Sequence, residues 1–324
     1  MKTARAILAG VTVAVALLAI PGSAAALDYP TRPVRWIVGF QSGGAGDIVA
    51  RIIGQWVSER LGQPVIIENR SGAGTNIATQ ALISAPPDGY TLLWVTPANA
   101  INATLYESLP FNFLRDTVPV AGLVRFALAL EVNPKLPVAS VAAFIAYAKA
   151  NPGKLTVASF GVGTSSHLAG ELFKTMTGTS MVHVPYRGSA PAITDLIAGQ
   201  TDAMFDNLTS SLPQVQSGAL RVLAVTTDTR SHILPGVPAL AETLPGFEAS
   251  GWSGIAAPRG TPVEIIERLH REVDAGLADP AMRARIAEIG GTPMPMTPGA
   301  FRAFVAAETE RWGKVVKASG AKAE

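Results

Sequence analysis

Three stretches of small and hydroxylated residues could do chemistry in this chain. The first is Gln41-Ser42-Gly43-Gly44-Ala45-Gly46-Asp47. The second runs from Ser159 through Gly161-Val162-Gly163-Thr164-Ser165-Ser166, and the third from Tyr186 to Ser189. Glycine lets a backbone turn tightly and approach a ligand closely. Serine and threonine add hydroxyl donors, and Arg187 is the one basic residue in the set. Loops of this kind hold a small anion through N–H and O–H groups, most effectively where they lead into a helix whose first N–H groups are unpaired. Thr96 and Asn99 follow an apolar run and belong to the same candidate rim. Asp47 either caps its helix or faces the ligand. Asp206, beside Asn207, either accepts a ligand proton or fixes its own loop.

The elements that must position these loops are legible from periodicity. Val34 to Phe40 is rich in β-branched and aromatic residues, as a buried strand is, and Ile48, Val49, Ile52, Ile53, Trp56, Val57 and Leu61 follow at helical spacing. Further strands are expected at Val65–Glu68, Tyr90–Thr96, Leu123–Val132, Leu155–Phe160, Val182–Val184, Ala203–Asp206, Ala219–Thr226 and Trp252–Ala257, with helices over Ile77–Ala85, Ser140–Ala150, His167–Met176 and Pro191–Ala198. Helices with proline near their starts are expected over Pro262–Ala278, Pro280–Ile289 and Pro298–Ala318. Alternating strands and helices indicate α/β architecture, with ligands gathering beyond the carboxyl ends of the strands. No Pro/Gly/Ser linker separates the halves. Two extended crossings, near 123–128 and 223–227, suggest a hinged, two-lobed clamshell in which each lobe is a mixed or parallel sheet flanked by helices. The expected division is 27–123 with 227–324 for lobe one and 124–226 for lobe two.

Residues 1–26 read as a cleavable leader. Lys2 and Arg5 precede the apolar run Ala6 to Ile20, Pro21-Gly22 breaks it, and Ala24-Ala25-Ala26 supplies the cleavage site. Two of the 26 lysines and arginines fall in this leader, so the remainder equals the 24 acids and the mature chain is near neutral. There is no basic run or basic–aromatic stripe for nucleic acid. Zero cysteines exclude disulfides, thiol nucleophiles and Cys-ligated metal. Such a chain suits an oxidising periplasm.

The motifs in order then resemble one family. They include Tyr29-Pro30-Thr31-Arg32-Pro33-Val34, Gly43-Gly44-Ala45-Gly46-Asp47 with Ala50-Arg51, and Glu68-Asn69-Arg70-Ser71-Gly72-Ala73-Gly74. They continue with Pro87-Asp88-Gly89-Tyr90, Asn151-Pro152-Gly153-Lys154-Leu155, Gly161-Val162-Gly163-Thr164-Ser165-Ser166-His167, His183-Val184-Pro185-Tyr186-Arg187-Gly188, Met204-Phe205-Asp206 and Ala257-Pro258-Arg259-Gly260-Thr261-Pro262. In this the chain resembles the extracytoplasmic receptors of tripartite tricarboxylate transporters, the Bug proteins. The resemblance implies a type II periplasmic-binding-protein fold, a small carboxylate closed into an interlobe cleft, and delivery to the transporter's membrane subunits. It implies no enzyme activity, cofactor or metal, and a monomer. The site residues expected on this footing are Gln41, Ser42, Gly43, Gly44, Asp47, Thr96, Asn99, Ser159, Gly163, Thr164, Ser165 and Asp206. The chain departs from the family at Gln41-Ser42, Ala103 and Phe111-Asn112-Phe113-Leu114, all near the expected pocket or its rim, so the bound acid does not transfer from a relative.

Other chemistries find little support. Gly161 and Gly163 lack the third glycine of a dinucleotide loop, Ser166 standing in its place, and Gly251-Trp252-Ser253-Gly254-Ile255 lacks the last glycine of a nucleophile elbow. There is no P-loop and no metal-spaced histidine cluster. The competing readings are an exported hydrolase or isomerase acting on an organic acid, which turnover would reveal, and a ligand-sensing protein serving a signalling partner.

Overall fold

Two β-sheets organise the protein, whose computed structural model describes residues 28–323. The leader expected over residues 1–26 lies outside the described residues. The chain starts through β1 (Val34–Val38), α1 (Ala45–Leu61), β2 (Val65–Asn69), α2 (Asn76–Ile83), β3 (Thr91–Val95), α3 (Pro97–Leu105), a single turn α4 (Phe113–Asp116) and β4 (Thr117–Phe126). It continues through β5 (Leu128–Val132), α5 (Val141–Ala150), β6 (Thr156–Ser159), α6 (Ser165–Thr177), β7 (Val182–Pro185), α7 (Ser189–Ala198), β8 (Ala203–Asn207), α8 (Leu208–Gln216) and β9 (Arg221–Val225). It ends through β10 (Gly251–Pro258), α9 (Val263–Ala278), α10 (Pro280–Glu288), β11 (Gly291–Met296) and α11 (Pro298–Ser319).

The first sheet has the order β11-β4-β10-β3-β1-β2 and the second β7-β6-β8-β5-β9. Each is mixed. Strands β1, β2 and β3 run parallel, as do β6, β7 and β8, while β10, β4, β11, β5 and β9 pair antiparallel. This is the two-lobed α/β architecture expected from the sequence.

Parallel strands need helical crossovers, and this places the start of α1, α3, α6, α7 and α8 directly after the carboxyl ends of β1, β3, β6, β7 and β8. The run from Leu123 to Val132, expected as one strand, breaks at Ala127. Its first part completes β4 in one sheet and its second is β5 in the other. Both parts are apolar because both are buried, so composition does not mark the break. Helices α3, α4 and α8 and strand β11 were not expected. Pro293 and Pro295 disguise β11, which tolerates them because it lies at a sheet edge. Residues beyond β9 stay with the second sheet: Val225 bridges Ala239, Thr226 Oγ1 donates to Ala249 O (3.1 Å), and Phe247 stacks on Phe205.

The last helix carries a buried ionic cluster into the core. Glu308 accepts from Trp252 Nε1 (2.6 Å) and Trp312 Nε1 (3.0 Å) and pairs with Arg311 (2.7 Å). Burial pushes the Glu308 carboxyl up, but the Arg311 hydrogen bond and charge and the two indole donors outweigh it, and the net pKa is lowered. A lowered folded-state pKa contributes stability above the unfolded value, and that stability is lost as pH falls through the folded one. Glu308→Gln, which sets an amide N–H against an indole N–H, is expected to cost about 2 kcal/mol at neutral pH by urea unfolding. The difference from the parent chain should shrink in acid. An equal loss at every pH would show that packing, not charge, sets the effect.

Candidate functional site

Five helix starts converge between the lobes. The cavity there is lined by Gly44, Ala45 and Gly46 of α1, and by Thr96, Pro97 and Ala98 at the start of α3. Thr164 and Ser165 of α6, Ser189 of α7, and Asn207 before α8 complete its polar wall. Phe40, Trp94, Phe126, Phe160, Gly251 and Trp252 complete the lining, which contains no Asp, Glu, Lys, Arg or His. The lobes meet over it. Gln41 N–H donates to Arg187 O (3.2 Å), and Phe40 meets Phe160 edge to face at 5.8 Å. The cavity volume is about 40 Å³, far below what a nucleotide needs.

The helix starts differ in what they leave free. Helix α3 is self-contained, since Thr96 Oγ1 accepts from Ala98 N–H and Asn99 Oδ1 accepts from Thr96 N–H (2.9 Å). Among the described residues, α1, α7 and α8 have no side-chain cap, and the cap of α6, Thr164 Oγ1 to His167 N–H, is long at 3.4 Å. The first turns of α1 and α7 thus reach the cavity without a side-chain cap, whereas at α8 the N–H of Leu208 donates to Ala127 O (3.1 Å) and at α6 that of His167 goes to Thr164; the dipole of each end still carries roughly half a positive charge. One such end comes from the first lobe and three from the second.

Of the residues expected in the site, Gly44, Thr96, Thr164 and Ser165 line the cavity. The others do not. Gln41, Ser42 and Gly43 are exposed at the rim. Asp47 is buried but turned to its own loop, accepting from Gly43 N–H (3.0 Å) and pairing with Arg51 (2.8 Å). Burial raises its pKa, the Arg51, Gly43 and Asn69 hydrogen bonds lower it, and the net is downward. Asn99 is spent on Thr96 and Thr79. Even Thr164, at the wall, has its hydroxyl committed, donating to Gly161 O (2.6 Å).

Ser159 Oγ lies 2.7 Å from His183 Nε2 and takes a hydrogen bond from Gly161 N–H. Gly163 N–H donates to Nδ1 of His167, which stacks on His183 at 4.2 Å. Burial pushes both imidazoles down, His167 to about 3 and His183 to about 4, so both are neutral braces for the Gly161–Thr164 loop. Asp206 is fully buried behind the wall and accepts from Ser189 Oγ (2.6 Å). Phe40, Trp94, Phe126, Phe160, Ser189, Asn207 and Trp252 were missed. An aromatic in a strand carries the same signal as core, and only the neighbouring Tyr186–Ser189 and Asp206 motifs pointed toward Ser189 and Asn207.

Comparison with known proteins gives a consistent answer. Residues 49–321 match the model of the tripartite tricarboxylate transporter family receptor. Protein BugT of Bordetella pertussis is 40% identical over 97% of this chain and 96% of its own length. An R. palustris protein solved with adipate is 41% identical, covers 90% of this chain and 99% of its own, and superposes with a TM-score of 0.89. MatC from Rhodopseudomonas palustris, solved with bound malate, is 32% identical over 89% of this chain and all of its own (100%), with a TM-score of 0.85. With its two lobes closed over a cavity at converging helix starts, the chain belongs to the tripartite tricarboxylate transporter receptors, the Bug family of solute-binding proteins.

Proposed function

We propose that the protein is a periplasmic receptor that captures a small carboxylate in the interlobe cavity and hands it to the membrane subunits of a tripartite tricarboxylate transporter, acting as a monomer. The observation that carries this reading is the cavity itself: uncapped helix starts from both lobes face it, and no ionisable side chain lines it. A carboxylate leaving water needs donors that are already in place, and these are. Five aromatic side chains line the same cavity, which favours an acid whose body is apolar. Adipate and malate, found in the two R. palustris relatives, are the natural first probes.

The two lobes that close on the acid are taken to meet at Ala127 and near Gly251. Lobe two then spans about 127–250, its second edge moved from 227 because residues 226–249 pack on the second sheet. Among the described residues no helix is long and apolar enough to cross a membrane, so delivery needs separate membrane subunits. An enzyme reading is disfavoured by position. Ser159 and His183 touch each other, yet neither lines the cavity.

Trp94 and Trp252 make the test direct. Titration with adipate, malate, benzoate and citrate should change tryptophan fluorescence saturably for at least one acid, without conversion of that acid over hours. Product formation, or no saturable response to any carboxylate, would sink the receptor reading.

A further inference from the structure

Behind the cavity wall lie two carboxyl groups that the anion site does not use. Asp206 is on β8 and Glu131 on β5, its antiparallel neighbour. Ala129 stands opposite Asp206 and Met204 opposite Glu131, so the two acids occupy one face of the sheet on the diagonal. Both are 0% exposed. Asp206 Oδ1 accepts from the hydroxyl of Ser189, a cavity residue, and Glu131 Oε1 accepts from the hydroxyl of Ser211. Asp206 Oδ2 and Glu131 Oε2 have no hydrogen-bond partner among the described residues.

Among the described residues no cation pairs with either carboxyl. Helix α8 carries no ionisable residue. On α7, Asp195 accepts from Tyr186 Oη (2.7 Å). On β9, Arg221 spends its guanidinium on the carbonyls of Leu136 and Val138. In the segment after β9, Arg230 and Glu242 pair with each other at the surface.

We propose that Asp206 and Glu131 form a proton-binding pair through which capture of an anion in the cavity is linked to proton uptake. Two ionised carboxylates do not share an uncompensated interior, so at least one proton stays on the pair, and the two orphaned oxygens are where it resides. Burial, opposed by the Ser189 hydrogen bond, pushes Asp206 up to about 7. Burial and the charge of Asp206 push Glu131 well above the usual carboxylate range. The second proton therefore exchanges near neutral pH. An anion between the helix starts sits one hydroxyl, that of Ser189, away from Asp206. Its charge raises the pair's affinity for that proton, and by reciprocity the protonated pair holds the anion more tightly. The sign follows: affinity is highest where the pair is protonated and falls as pH rises through about 7. This makes Asp206 a positioning residue that sets charge behind the wall, not a contact of the acid, and it rests on the carboxylate-receptor reading above.

Calorimetry with adipate, malate and benzoate, in phosphate and in Tris, is the test. From about pH 6 to about pH 8.5 the affinity for whichever acid binds should weaken about fivefold or more. The apparent heat should differ between the two buffers by the uptake of a fraction of a proton. Asp206→Asn, whose amide mimics the protonated acid, should abolish both effects, and Glu131→Gln serves if the first variant fails to fold. Carbon-detected titration of the side-chain carboxyls without any acid present should show one group titrating near neutrality in the parent chain and missing in Asp206→Asn. Carboxyls that all titrate in the ordinary acid range would overturn the pair. Uptake that persists in the variants, or affinity that ignores pH, would overturn the linkage alone. If none of the three acids binds, the receptor reading falls and the linkage with it.

Discussion

Gly163→Ala should weaken binding of the captured acid roughly a hundredfold while leaving both lobes folded. Gly163 sits at φ +75° on the second lobe, facing α3 of the first. A Cβ there would overlap Asn102 Oδ1 and stand 3.1 Å from Leu105 Cδ2. Asn102 does not move aside easily, because its Nδ2 donates to Gly74 O (2.7 Å) and Asn76 Oδ1 (3.0 Å). A single methyl therefore acts as a wedge across the cleft. Affinity depends on the fraction of molecules that close, so a closed state made costlier by ~3 kcal/mol appears as weaker binding and not as a changed contact. Small-angle scattering with saturating adipate should give a larger radius of gyration than for the parent chain. Gly153→Ala is the control for backbone strain. Gly153 has a similar φ of +71°, but a Cβ there meets only Ser180 Oγ at 4.0 Å. If both variants lose affinity equally, backbone strain and not closure is responsible.

Ser165→Pro should cost about as much, for a different reason. Ser165 is the first residue of α6, and a helix accepts proline there because that N–H has no intrahelical partner. The preceding Thr164, at φ −98° and ψ 165°, already has the extended backbone that a following proline requires. The substitution thus removes one cavity-facing N–H and one hydroxyl with the helix intact. Hydrogen bonds to a charged group contribute about 1.5–3 kcal/mol each, so a loss near a hundredfold is expected by calorimetry with adipate. Thr164→Pro is a poorer probe, since Thr164 N–H donates to Gly161 O and its loss would unmake the loop. Arg187 lies outside the cavity lining and reaches the other lobe through its carbonyl. Arg187→Gln should then change affinity by less than about tenfold, or ~1.4 kcal/mol. The reverse pattern, with Arg187→Gln abolishing binding and Ser165→Pro harmless, would replace helix starts by a guanidinium clamp.

How much of this was legible in the sequence depends on how local each signal is. The strand, glycine loop and helix beginning at Val34 are written in adjacent residues. The two-lobed α/β fold follows from strands alternating with helices. The break at Ala127 is not local: Leu123–Phe126 and Leu128–Val132 are equally apolar, and only the partners of each half, β10 and β11 against β8 and β9, tell them apart. The cavity wall is hidden for a related reason. Trp94, Phe126 and Trp252 lie on strands, where burial against a ligand and burial against core select the same residues. The polar expectations meet a different competitor. Asp47, Asn99 and Ser159 have the right chemistry for a ligand, but loops and caps nearby demand that chemistry first, and a sequence does not show which demand is met.

On the proposed reading, an anion held on peptide N–H groups has a consequence for how such a receptor diverges. Every side chain except proline leaves the N–H of its residue in place. Substitutions at Phe40, Phe160, Trp94 or Trp252 can therefore reshape what is admitted without first surrendering the grip on a carboxylate. A receptor built on an arginine clamp has no such freedom, because the residue that recognises charge is itself exposed to mutation. Drift in the aromatic walls is then cheap for a lineage, while the small residues at the starts of α1, α6 and α7 remain under constraint, and one scaffold can spread across many acids by steps that each remain functional.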